Sequence, residues 1–135
     1  MVKRIEHLGI AVANLEESIK MYEGLFGKEF YKTEIVESEF VKTAFMQIGE
    51  SKIELLEATD PKSSIAQFLS KKKEGFHHVA FEVADIDAEL ARLKGLGFRL
   101  IHETPKDGAD NKRIAFLHPK STGGMLVELC QEKAG

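Results

Sequence analysis

Cysteine is almost absent from this chain. Cys130 is the only one in 135 residues, so no internal disulfide framework can hold the fold, and a reducing compartment is expected. A long apolar run is missing too. Met1-Val2-Lys3-Arg4 leads directly into a strand-like segment, which offers no signal-peptide or membrane-span pattern and makes a cytoplasmic protein the expectation. Charge of one sign is not in excess either. The formal net charge is −3, so no global basic field invites nucleic acid. What is present is ordinary for a soluble globular protein: 43% hydrophobic and 30% charged residues. The length suits a single domain, 1–135, with a core of its own.

The informative feature is a repeat. His7-Leu8-Gly9-Ile10-Ala11-Val12-Ala13-Asn14-Leu15 returns as His78-Val79-Ala80-Phe81-Glu82-Val83-Ala84-Asp85-Ile86, 78 − 7 = 71 residues later. Such an offset signals two copies of one structural unit. In the first copy Leu8, Ile10 and Val12 alternate with His7, Gly9 and Ala11, which predicts a strand with one core face and one small, polar face. Asn14 reads as a helix N-cap with Glu17 three residues on. Leu15, Ile19, Tyr22 and Phe26 follow at helical spacing until Gly27. Strands are predicted over 28–36, 40–48 and 52–57. The second half repeats this order. A strand over 76–84 leads to an Asp85-capped helix carrying Ile86, Leu90 and Leu93 and closed by Gly95 and Gly97. Strands over 98–103, 112–117 and 124–131 follow, and residues 61–73 read as a connecting helix that turns Ile65, Phe68 and Leu69 inward.

Each half is therefore β-α-β-β-β, and one such half alone leaves a sheet face and edges uncovered. The expected fold is α+β: two tandem βαβββ modules, residues 1–60 and 74–135, whose sheets form one open cup around a shared metal site. The helices would cover the apolar outer faces.

Each copy also ends in a glutamate within a short apolar strand, Ile53-Glu54-Leu55 and Val127-Glu128-Leu129. With His7 and His78 they make a symmetric quartet of two imidazoles and two carboxylates. A strand histidine on its own is commonly structural, and a glutamate on an edge strand commonly faces water. Recurrence of both at equivalent points is what sets a metal site beside those readings. Small neighbours (Gly9, Ala11, Ala80) leave room next to the histidines, and a carboxylate buried without a partner costs several kcal/mol or protonates. Imidazole and carboxylate without thiolate suit a divalent ion such as Co2+, Ni2+, Mn2+, Zn2+ or Fe2+.

These residues resemble the vicinal oxygen chelate (glyoxalase) superfamily, and within it the methylmalonyl-CoA epimerase branch. The likeness covers nearly the whole chain: His7-Leu-Gly-Ile-Ala-Val, Ile53-Glu-Leu-Leu-Glu, Ser64-Ile-Ala-Gln-Phe-Leu, Gly75-Phe-His-His-Val-Ala, Phe116-Leu-His-Pro-Lys and Gly124-Met-Leu-Val-Glu-Leu. The resemblance places the metal ligands on His7, Glu54, His78 and Glu128, with cobalt first among the candidate ions. It implies epimerisation of (2R)- and (2S)-methylmalonyl-CoA by α-proton abstraction through a metal-stabilised enolate, and a homodimer. Epimerisation needs a base on one face of the carbon and an acid on the other.

One family arrangement has a second catalytic glutamate on the third strand, at the position of Thr43 here. Threonine is no base at neutral pH, so Glu54 and Glu128 are expected to share the catalytic proton transfer, with Glu37 and Glu39 as weaker candidates. Lys71-Lys72-Lys73 could meet coenzyme A phosphates but reads better as a solvated helix end. His77 should pack on the other face of its strand, and His118 is either a carboxylate contact or a structural loop residue. Cys130 reads as a small buried hydrophobe, and Lys112 and Arg113 could steer an anionic acyl-CoA. The rival functions are a lactoylglutathione lyase with the same quartet and a non-enzymatic ligand-sequestering protein of the same fold. A ring-cleaving dioxygenase is disfavoured by the fourth ligand.

Overall fold

A computed structural model describes residues 1–134. The chain runs β1 (Val2–Ala11), α1 (Leu15–Phe26), β2 (Lys32–Val36), β3 (Val41–Ile48), β4 (Ser51–Ala58), α2 (Ser64–Lys71), β5 (Gly75–Val83), α3 (Ile86–Gly95), β6 (Lys106–Asp107), β7 (Lys112–Leu117) and β8 (Val127–Glu132). That is β-α-β-β-β twice, with α2 between. The strands hydrogen-bond in the order β2-β3-β4-β1-β5-β8-β7-β6 as one eight-stranded sheet.

The helix ends form where the capping residues stand. Asn14 accepts a hydrogen bond from the Glu17 N–H at 3.0 Å, and Gly27 ends α1 at φ 65°, a left-handed conformation that glycine adopts without a Cβ penalty. Asp85 accepts from the Ala88 N–H at 3.1 Å at the start of α3. Ser63 does the same for α2 through Ile65 N–H.

Two compact units divide the chain, and the cuts fall at the repeated histidines rather than between the repeats. One is Leu8–His77; the other is Met1–His7 together with the chain from His78 on. In the first unit, Ala11, Val41, Leu56 and Ile65 form one buried cluster against Phe68 and Leu69 of α2. Val12, Leu15, Ala44 and Leu55 form another, beneath Ile19 and Tyr22 of α1. In the second unit, Ile86, Leu90 and Leu93 of α3 pack on Val79, Val83, Ala115, Leu117, Val127 and Leu129. Each of these large side chains contributes about 1.5–3 kcal/mol by its burial.

Two segments differ from expectation. The strand predicted over 98–103 is reduced to a single bridge between Leu100 and Leu117. The His102 side chain takes the place of a ladder carbonyl there: its Nδ1 accepts the Phe116 N–H at 3.0 Å, which ends regular pairing. The short edge strand β6 pairs with β7 instead, after a turn in which Asp110 and Asn111 adopt φ 58° and 60°.

In β1 the expected core face is only partly buried. Leu8 is 37% exposed while His7 and Ala11 are buried. Going back along the strand, Glu6 is buried as well, so the in-out alternation slips by one residue between Glu6 and His7 and both side chains turn inward.

Candidate metal centre

Three of the four repeated side chains meet within the unit that contains Met1–His7. The parallel register of β5 and β8 sets Ala80 opposite Glu128, so both project to one face, with His78 two residues before Ala80 on the same side. Ala80 is fully buried and contributes only a methyl, which lets the imidazole and the carboxylate approach each other. His7 Nε2 lies 3.0 Å from His78 Nε2. Glu128 Oε1 lies 3.0 Å from His78 Nε2 and 3.4 Å from His7 Nε2. The two imidazoles meet edge to face at 88°. Phe116, opposite Glu128 on β7, sets its ring edge-on to His78 at 5.5 Å and walls the group.

All three side chains are at least 95% buried: His7 and Glu128 are 5% exposed and His78 2%. Burial on its own pushes the Glu128 carboxyl up. The two imidazoles, His7 foremost, outweigh that and hold it well below the usual carboxylate range. Glu128 is therefore ionised at neutral pH. Burial, with the nearby carboxylates of Glu128 and Glu6, pushes the Cys130 thiol up to about 12. It stays protonated and supplies no thiolate ligand.

The donor set fits a divalent ion. Ligand bonds of about 2.1 Å separate neighbouring donor atoms by about 3.0–3.4 Å for right-angled to tetrahedral geometry, and the triangle of Nε2, Nε2 and Oε1 has sides of 3.0, 3.0 and 3.4 Å. Two imidazoles and a carboxylate, with no sulfur, suit Co2+, Ni2+, Mn2+, Zn2+ or Fe2+.

Glu54 lies in the other unit, on β4, and is 5% exposed. Its register partner is Phe45, so the two share a face of that sheet. Thr43 is fully buried two residues along β3, its hydroxyl donating to the Glu34 carbonyl at 3.3 Å; it is engaged in strand structure. Glu37 and Glu39 sit in a single 3-10 turn before β3.

The remaining residues sort by their contacts. His77 packs edge-on against Phe68 at 4.9 Å, the structural role expected of it. His118 accepts the Lys120 N–H and caps the turn at Pro119–Ser121, which makes it a loop residue. Lys72 lays its ammonium over the Phe68 ring at the end of α2. Lys112, read as a steering residue, is buried instead. Lys112 is only 4% exposed and faces Glu6 and Glu132, while Arg113 pairs with Asp87.

Glu6 is the residue that sequence reasoning missed. It is 1% exposed, and its Oε1 lies 2.7 Å from His7 Nδ1. Its Oε2 lies 3.6 Å from Arg4 Nη2 and 4.0 Å from Lys112 Nζ. Strict alternation along β1 sends Glu6 away from His7; the slip brings them together. The available signal was a strand with three charged residues, Lys3, Arg4 and Glu6, ahead of the histidine.

The family model described as Glyoxalase/Bleomycin resistance protein/Dioxygenase superfamily matches residues 6–116. The chain belongs to this superfamily. Among its similar relatives in the glyoxalase superfamily is an ethylmalonyl-CoA/methylmalonyl-CoA epimerase of Cereibacter sphaeroides. The two are 40% identical over 133 residues, 97% of this chain and 99% of the relative. A solved methylmalonyl-CoA epimerase in complex with methylmalonyl-CoA and NH4+ superposes with a TM-score of 0.95 at 37% identity, covering 99% of this chain and 97% of that one. The resemblance to the epimerase branch thus holds over the whole chain. A probable lactoylglutathione lyase of Vibrio parahaemolyticus is more distant, 29% identical over 96% of this chain and 91% of the relative.

Proposed function

We propose that this chain is a metal-dependent epimerase that interconverts (2R)- and (2S)-methylmalonyl-CoA. The observation that carries the reading is the buried convergence of His7 Nε2, His78 Nε2 and Glu128 Oε1, in a superfamily member whose relatives include an epimerase 40% identical to it. His7, His78, Glu128 and Glu54 would hold the ion. Burial of the Glu54 carboxylate on β4, the strand that closes the first module as β8 closes the second, supports it as the fourth ligand. When bound, the ion supplies a Lewis acid that lowers the energy of negative charge developing on the substrate's carboxylate and thioester oxygens. Cobalt is the first candidate, and the same donors accept Ni2+, Mn2+, Zn2+ or Fe2+.

The proton work falls to the chain's own carboxylates. Inversion at the α-carbon needs one group to take the proton and another to return one to the opposite face. Thr43 supplies no base, so Glu54 and Glu128 take the two tasks. Glu128 is ionised at neutral pH and can act as the accepting group in one direction of turnover. Phe116 lies edge-on to His78, and both imidazoles are buried from bulk water. In this reading the enzyme is a cytoplasmic homodimer. No helix among the described residues is long and apolar enough to cross a membrane.

The test is conversion of a single diastereomer. Cobalt-reconstituted protein given (2S)-methylmalonyl-CoA should generate the (2R) form until the two are equally populated, and a chelator should stop it. Isomerisation of the methylglyoxal–glutathione hemithioacetal without any inversion would move the assignment to a lactoylglutathione lyase. Tight binding of either compound without conversion would make it a sequestering protein.

A further inference from the structure

We propose that Glu6 is a positioning residue that fixes the tautomer and the aim of His7, with Arg4 and Lys112 holding Glu6 in place. This rests on the metal centre proposed above. A carboxylate has no proton to give, so the 2.7 Å contact between Glu6 Oε1 and His7 Nδ1 is a bond that Nδ1–H donates. In the neutral ring, the form that can take up a cation, this places the proton on Nδ1 and the lone pair on Nε2. Nε2 is the atom that faces His78 Nε2 at 3.0 Å and Glu128 Oε1 at 3.4 Å. A carboxylate behind a ligating imidazole orients the ring and raises its basicity toward a cation.

A buried carboxylate needs compensating charge to stay ionised, and two cations supply it here. Arg4 Nη2 stands 3.6 Å from Glu6 Oε2 and is itself anchored to Glu82 at 3.0 Å on β5. Lys112 Nζ stands 4.0 Å from the same oxygen and is anchored to Glu132 at 3.5 Å on β8. Lys112 is 4% exposed, an unusual place for a lysine unless its charge has a partner. Arg4 of β1 and Lys112 of β7, held by Glu82 of β5 and Glu132 of β8, thereby converge on the carboxylate behind His7 Nδ1. The slip in alternation between Glu6 and His7 is the local device that makes the contact, since regular pleating sends neighbouring side chains to opposite faces.

The experiment reads the tautomer and the metal affinity separately from activity. In metal-free wild type, long-range proton–nitrogen spectra of the histidine rings should show His7 protonated at Nδ1. A neutral His7 whose single ring proton sits on Nε2 overturns the proposal. Glu6→Leu should lose that tautomer preference and raise the Co2+ dissociation constant by about 10- to 100-fold. Glu6→Gln, which keeps an acceptor but not the charge, should keep the tautomer and bind Co2+ with a smaller loss. Lys112→Met should also weaken Co2+ binding, by less than Glu6→Leu.

A purely structural role predicts something different: a lower melting temperature for all three variants, with tautomer and Co2+ affinity within twofold of wild type. That result overturns the proposal. Should Glu6→Leu fail to fold, Glu6→Gln, Lys112→Met and the wild-type spectrum decide it. Failure of wild type to bind any divalent ion contradicts the proposed metal centre, while the metal-free His7 spectrum still decides the positioning role.

Discussion

At the scale of single residues, chemistry follows from which groups are kept charged in a buried place. Glu128 is ionised because two imidazoles outweigh its desolvation. Glu128→Gln keeps its size and removes both the charge and the basic oxygen. Turnover of that variant should fall by about 10²-fold or more, measured with metal content held equal to wild type. Glu54→Gln should show a comparable loss. Full turnover by Glu54→Gln with metal bound would remove Glu54 from the proton transfer. Cys130 is the opposite case, a group kept neutral by burial. With its thiol titrating near 12, its thiolate fraction at pH 8 is negligible, because the pH lies far below the pKa. It should stay unmodified by a disulfide reagent at pH 8 in native protein and react promptly once urea unfolds the chain. Rapid modification of native protein would contradict the burial of this residue.

At the scale of elements, caps and registers decide where side chains arrive. Asp85 starts α3, the helix that covers the core beneath β5 and β8. Asp85→Ala should lower stability by about 1 kcal/mol, read as a shift in the urea midpoint at unchanged slope. Arg4 joins β1 to β5 through Glu82 at 3.0 Å. Burial raises the Glu82 carboxyl, but Arg4, with Lys3 and Lys112 behind it, more than offsets this and leaves it below the ordinary glutamate value of 4.5. A depressed folded pKa gives stability that is present above 4.5 and lost as the pH falls through the folded value. The stability gap between wild type and Glu82→Gln should therefore shrink steadily as the pH drops below 4.5, and a gap that widens would contradict the pairing. The caps at Asn14 and Asp85 were legible in the sequence because a capping side chain acts within three residues of itself. The convergence of His7, His78 and Glu128 was legible too, because duplication displays the histidine and the glutamate twice. The strand expected over 98–103 was not, since the His102 side chain replaces a backbone acceptor and periodicity is blind to that exchange. Glu6 was hidden by a one-residue slip, and Lys112 by partners that lie far from it in sequence.

At the scale of the whole molecule, a repeated strand has become a site with a division of labour. His7 and His78 end up in one compact unit although they open different repeats, and Glu128 joins them there. The central claim is that this group, with Glu54, holds an ion and moves the α-proton of methylmalonyl-CoA. The most direct measurement is solvent exchange: cobalt-loaded protein, one pure diastereomer and deuterium oxide, with deuterium at the α-carbon and configuration followed together. The account predicts that the inverted product carries one solvent deuterium and that removing the metal abolishes both exchange and inversion. Metal-loaded protein that leaves the α-proton unexchanged, or inverts the carbon without taking deuterium from solvent, would contradict it.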